Sequence, residues 1–212
     1  MTYQLERIDE LIDAWPETAR ESAKTVMKRY GTPHEATRHM LAWRDTGPWK
    51  WTVITDIETA HEWPTPHVDV LEQAINYQVP PQRFTDLAKF DGSVMAERTR
   101  GELSARCAGE AANFLAINLA HEIVIGRRSV GEARERYAQA MQAMTEGRED
   151  PYTEGLLFDP PAGGTEDPDQ QVLPIPSGGS RRGRRRYEPS KPSLSTFMTA
   201  GTWLPAPSRS AD

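Results

Sequence analysis

Glu110, Asn113, Asn118, His121 and Glu122 are the polar members of a stretch that is otherwise apolar from Cys107 to Ile125. A polar group held among apolar neighbours needs a partner, or it costs roughly 1–3 kcal/mol. Wound as a helix, the stretch puts Asn118, His121 and Glu122 at i, i+3 and i+4, so all three can face one cleft. Glu110, Ile117 and His121 come within about 50 degrees of one another around the axis. Glu110, His121 and Glu122 are therefore the candidates for general acid/base catalysis, in a cleft that Glu102 and Asn118 would help to line. The same residues have a plainer use: His121 and Asn118 can bond to a neighbouring sheet backbone while Glu122 reaches water.

His61, His67 and His121 are the candidate metal ligands. His61 and His67 flank a proline-containing connector, Glu58-x-x-His61 has the spacing of half a helical di-iron site, and His121-Glu122 could complete a set. Such a site needs a second Glu-x-x-His and two further Glu, however, and His-Glu-x-x-His does not occur either. These spacings identify no cofactor. Cys107 falls in the first turn of the expected helix beside Arg106, where the macrodipole favours a thiolate. A dyad with His121 is excluded by distance, since the fourteen residues between them rise about 21 Å along one helix. The cysteine then reads as a small hydrophobe. Just upstream, Arg98, Arg100 and Arg106 lie among Glu97, Gly101 and Glu102, a joint that either receives a carboxylate or phosphate or satisfies itself with internal ion pairs. Trp43, Trp49, Trp51 and Trp63 read as packing residues.

Periodicity gives the elements that would carry these residues. Leu5, Ile8, Leu11, Ile12 and Trp15, then Ala19, Ala23, Val26, Met27 and Tyr30, mark two short helices, or one kinked one, interrupted at Pro16. His39–Trp43 and Trp49–Thr55 read as a β-hairpin, with Trp49, Trp51, Val53 and Thr55 on one face and Lys50, Thr52 and Ile54 on the other. Thr65 and Pro66 form an N-cap and N1 pair that predicts a helix from His67 to Gln78. A short helix over Gln82–Phe90 and a third strand over Ser93–Thr99 come next. The apolar helix spans Ser104–Ile125, and the capping box Ser129–Glu132 opens a last helix to Met144. The order does not alternate as βαβαβ. It predicts an α+β domain: a small antiparallel sheet of about three strands packed against helices, the apolar one central.

Composition divides the chain into a globular domain (1–158), a flexible linker rich in Pro, Gly and Arg (159–192) and a C-terminal peptide (193–212). From Pro160 to Asp212, 22 of 53 residues are Pro, Gly or Ser, which leaves too little apolar surface to offset chain entropy and predicts a disordered tail. The net charge of −6 splits into −11 on residues 1–180 and +5 on residues 181–212. An acidic body argues against a nucleic-acid-binding core. Arg181, Arg182, Arg184, Arg185 and Arg186 could hold nucleic acid or another polyanion, weakly and without specificity. Leu194, Phe197, Met198, Trp203 and Leu204 form an apolar tip of the kind that docks on a protein partner. A single cysteine excludes an internal disulfide, and the first ten residues lack the basic and apolar regions of a secretory signal. The longest uncharged apolar run, Ala111–Ala120, is half the roughly 20 residues a membrane span needs. The expectation is a cytoplasmic accessory or interaction subunit, tethered to a larger assembly by its C-terminal peptide. The alternative is a small enzyme or ligand-binding domain with a polar cleft on the central helix.

Overall fold

The structure, a computed structural model, describes residues 2–173, with side-chain surroundings from residue 7 onward. A compact unit spans Met1–Gln170. Its six strands are β1 (Glu35–Thr37), β2 (Met40–Thr46), β3 (Trp49–His61), β4 (His67–Asn76), β5 (Val94–Glu97) and β6 (Glu102–Cys107). They form one antiparallel sheet in the order β1-β2-β3-β4-β6-β5. The helices are α1 (Thr2–Ile12), α2 (Glu17–Tyr30), α3 (Phe84–Phe90), α4 (Glu110–Val124), α5 (Val130–Thr145) and α6 (Pro151–Glu154). Among the described residues no helix is long and apolar enough to cross a membrane.

The domain is α+β, but its sheet has six strands where about three are expected. The largest correction is the His67–Gln78 segment, expected as a helix and found as strand β4. Val68, Leu71, Ala74 and Ile75 suit a helical stripe, yet on β4 Val70 and Ala74 are buried on one face and Leu71 and Ile75 on the other, so apolar and polar residues do not alternate. Pairing with β3 on one side and β6 on the other decides between the two. The second correction has the same cause. Glu102–Cys107, all but Arg106 buried, is strand β6, and the apolar helix begins only at Glu110 after Ala108 and Gly109. The third added strand, β1, is three exposed residues on the sheet edge.

Register shows which side chains share the helix-covered face. Leu41, Ile54, Leu71 and Cys107 form one row across β2, β3, β4 and β6. Trp43, Thr52, Gln73 and Ala105 form the next. On β3 the buried side chains are Trp49, Thr52 and Ile54, while Trp51, Val53 and Thr55 stay half-exposed. Ile12, Trp15, Ala23 and Val26 of α1, α2 and the turn between them pack on Leu41, Trp43, Ile54 and Leu71. Phe114, Leu115 and Leu119 of α4 pack with Ile75, Leu103 and Ala105 and with Leu87, Phe90 and Tyr137 of α3 and α5. Helix α4 is buried on nearly all sides, as its sequence predicts, and the capping box at Ser129 opens α5.

Two local features anchor the β3–β4 hairpin and the segment after α6. The β3–β4 ladder slips between Ile54 and Thr59, and beyond the slip His61 pairs directly with His67. The tip of that hairpin folds onto the helices: the Trp63 ring lies 4.5 Å from Tyr137 and 6.0 Å from Phe90, with Arg134 stacked over it at 4.1 Å. At the β5–β6 turn, Gly101 has φ +62°, and a β-carbon there would lie 2.2 Å from the Thr165 carbonyl group. Only glycine lets the 160–169 segment pass this close, and Thr165 Oγ1 donates to the Gly101 carbonyl at 2.7 Å.

Candidate metal centre

Where the β3–β4 hairpin meets the start of β4, three side chains converge. One ligand atom each from His61, His67 and Asp69 lies within 4.8 Å of the other two. The pairing of His61 with His67 sets the rings side by side, 4.8 Å between centroids. Asp69 follows His67 by two residues along the strand. His67 Nε2 is 3.2 Å from Asp69 Oδ1, and His61 Nδ1 is 3.5 Å from Asp69 Oδ2. Donors about 2.0–2.1 Å from a tetrahedral zinc sit about 3.3 Å apart, so each histidine is already at about coordination spacing from one Asp69 oxygen, His67 from Oδ1 and His61 from Oδ2.

The far side of each ring is held as a ligand's would be. His67 Nδ1 faces the Thr65 carbonyl at 2.8 Å. A carbonyl only accepts, so Nδ1 carries a proton there, and Nε2 is the nitrogen that faces Asp69. His61 Nε2 faces Asp91 Oδ1 at 3.8 Å, and that oxygen is itself fixed by the Ser93 backbone N–H and hydroxyl at 2.8 and 2.7 Å. This leaves His61 Nδ1 on the inner side. Among the described residues, His61 Nδ1 and Asp69 Oδ1 are buried polar atoms with no hydrogen-bond partner. Asp69 is only 2% exposed. His61 Nδ1 lies near Asp69 Oδ2, and Asp69 Oδ1 near His67 Nε2, within 3.5 Å but without hydrogen bonds, and buried polar atoms left this way are costly unless something else binds them.

The surroundings tune the cluster. Burial raises the Asp69 carboxyl above its usual range, against the opposing pull of His61, His67 and Arg106. The Arg106 guanidinium stands 3.8 Å from Asp69 Oδ2 and is about a third exposed, so it can share its charge with water or with an anion. Cys107 Sγ lies 3.5 Å from His67 Nε2. Burial pushes this thiol up to about 12, although the backbone N–H groups of Ala108 and Gly109 work in the other direction. A thiol held that high is not an activated nucleophile at neutral pH, so its contact with His67 is a neutral one.

The other candidate residues lie apart from this centre. His121 stacks on Phe158, with 3.9 Å between ring centroids, and its Nδ1 is 2.7 Å from the Tyr77 hydroxyl. Burial lowers its pKa. Glu122 accepts from the Tyr152 hydroxyl at 2.8 Å and pairs with Arg127 and Arg128. Burial works to raise its carboxyl, but Arg128, Tyr152 and Arg127 outweigh it and hold it low. Asn118 donates to the Tyr152 and Gly155 carbonyls and accepts from the Leu157 N–H, at 2.8–3.0 Å. Together these three side chains clasp α6 and the segment after it to α4. Glu110 is separate again: it accepts from Tyr30 and Trp49 at 2.6 Å and from Gln73 at 3.0 Å, and pairs with Arg29. Every one of these polar groups already has its partners within the fold.

Glu58 is exposed on β3 and takes no part in the cluster. Arg98 and Arg100 are held by acidic neighbours, Asp167 and Asp169 for the first, Glu97 and Glu102 for the second. The arginine run Arg181, Arg182, Arg184, Arg185 and Arg186 and the apolar tip Leu194, Phe197, Met198, Trp203 and Leu204 lie outside the described residues. Comparison with protein-family models, with curated proteins and with solved structures finds no match to this chain.

Proposed function

We propose that the domain binds one divalent transition-metal ion through His61 Nδ1, His67 Nε2 and the Asp69 carboxylate, and uses it as a Lewis acid. The observation that carries this is that His61 Nδ1 and Asp69 Oδ1 are buried without hydrogen bonds in a cluster whose three ligand atoms lie within 4.8 Å of one another. Two imidazoles and one carboxylate suit zinc or ferrous iron, and three protein ligands leave at least one position open. A metal held this way polarises an oxygen of a bound substrate, or lowers the pKa of a bound water. The chain's own residues supply the rest. The Thr65 carbonyl fixes the His67 ring, Asp91 stands 3.8 Å from the far side of His61, and Arg106 is placed to receive an anionic group.

Cobalt(II) gives a direct test. Added to the purified chain, it should produce visible d–d bands of low-symmetry coordination, and an exogenous anion such as azide should shift them if a position is open. A spectrum identical to that of hexaaqua cobalt sinks the proposal.

A second reading concerns the C-terminal peptide, supported by the sequence of its apolar tip. We propose that residues 187–212 dock the domain on a protein partner, with the metal centre as cargo. Deleting 187–212 should leave the melting temperature unchanged and abolish co-purification of that partner; unchanged co-purification rejects the docking role.

A further inference from the structure

Beside the proposed centre lies a pocket of about 200 Å³ whose inner end is formed by His67, Cys107 and Tyr137. Its walls are Ala111 and Ala112 from α4 and Met141 and Met144 from α5. Apart from the His67 ring, no acidic or basic side chain lines it. Exposure falls from the rim inward: Thr65 is exposed, Met141, Met144 and Ala111 are half-buried, and Ala112, Cys107 and Tyr137 are buried. The pocket is therefore an apolar throat open at its rim, and His67 belongs both to its wall and to the metal triangle.

We infer that this chamber holds a small uncharged ring or branched-alkyl group of the substrate and thereby presents the substrate's polar end to the metal. The inference rests on the metal reading above and adds the class of substrate. Size argues for one ring and little more, since a cavity of roughly 150 Å³ lined by apolar side chains accepts benzene, whereas drug-sized ligands occupy roughly 300 Å³ or more. Chemistry argues the same way. A charged group in the throat would lose its water and find no counter-charge there. Two methionines at the mouth give a wall that adjusts to differently shaped apolar groups. The small side chains at Ala111 and Ala112 are what leave the space open.

Two hydroxamates separate the possible outcomes. Acetohydroxamate and benzohydroxamate share a metal-binding head, and only the second carries a ring for the chamber. Titrated calorimetrically into the zinc-loaded full-length chain, both should bind, and benzohydroxamate should bind about tenfold tighter or more, the gain expected from burying a phenyl group. Ala111→Phe, which fills the throat from a half-buried helical position, should bring benzohydroxamate down to the acetohydroxamate level and leave acetohydroxamate where it was. Equal affinities for the two probes with zinc bound overturn the chamber and leave the metal centre standing. Failure of the chain to take up zinc overturns the metal reading and the chamber with it. The comparison of the two probes on the unaltered chain needs no variant to fold.

Discussion

Replacing Asp69 by asparagine should cost the metal-free domain almost nothing and abolish its response to metal. The side chain is 2% exposed, one carboxylate oxygen has no hydrogen bond, and His67, His61 and Arg106 stand 3.2, 3.5 and 3.8 Å away without one. An unmet buried polar atom costs about 1–3 kcal/mol, which the neutral isostere relieves in part. Against this stands the lost attraction to Arg106, His61 and His67, all partly exposed, about 0–1 kcal/mol. The balance runs from about zero to a gain of 2 kcal/mol, or a melting temperature unchanged or up to several degrees higher at about 2–4 °C per kcal/mol for a domain of this size. With zinc at a hundred times its dissociation constant the unaltered chain should gain about 2.7 kcal/mol, roughly 5–10 °C, and Asp69→Asn should gain little. Differential scanning calorimetry of both chains, first in chelator and then in zinc, reads all four values. A variant that melts in chelator as though it had lost about 3–5 kcal/mol would show instead that Asp69 is a structural counter-ion for Arg106 and the histidines, and its role as a metal ligand would fall.

Two further outcomes concern the clasp on α6. Burial lowers the pKa of His121, so below the unfolded value of about 6.5 the unfolded chain takes up a proton that the folded one resists, and stability falls with pH; Glu122, held low, contributes stability that is present above about 4.3 and lost on further acidification. Urea midpoints at pH 7.5, 5.5 and 4 should therefore decline stepwise, and His121→Gln should flatten the first step only; parallel curves for the two chains would contradict this. Asn118→Ala removes three hydrogen bonds to residues 152–157 and should cost about 2–4 kcal/mol. Limited proteolysis should then cut first near Tyr152–Leu157, with zinc uptake unchanged, and loss of zinc uptake would mean that the two sites are coupled.

The sequence makes helices α1, α2, α4 and α5 and the β2–β3 hairpin legible because each shows one covered face or a clear cap. It hides β4 and β6 because both are buried on both faces over most of their length, so neither shows the alternation of a half-buried strand. That single misreading also conceals the centre. With His67 on a helix, Asp69 turns away from it; with His67 on a strand, the i, i+2 relation helps bring them together. His67-x-Asp69 is the available signal, and the proline-containing connector is consistent with His61 and His67 facing each other across a turn. Cys107 is hidden by the same error, since its neighbour is not His121 on its own helix but His67, on a strand. Glu110, His121 and Glu122 stand out in sequence because they interrupt an apolar helix, and the fold gives each of them internal partners.

Zinc stoichiometry is the most direct measurement. Dialysed against buffered zinc and analysed for metal, the full-length chain should hold one zinc per molecule, His121→Ala should hold the same, and His61→Ala, His67→Ala and Asp69→Asn should each hold far less. A folded chain that takes up no zinc, or that keeps it when His61, His67 and Asp69 are each replaced, would contradict the assignment of these three residues as a metal centre.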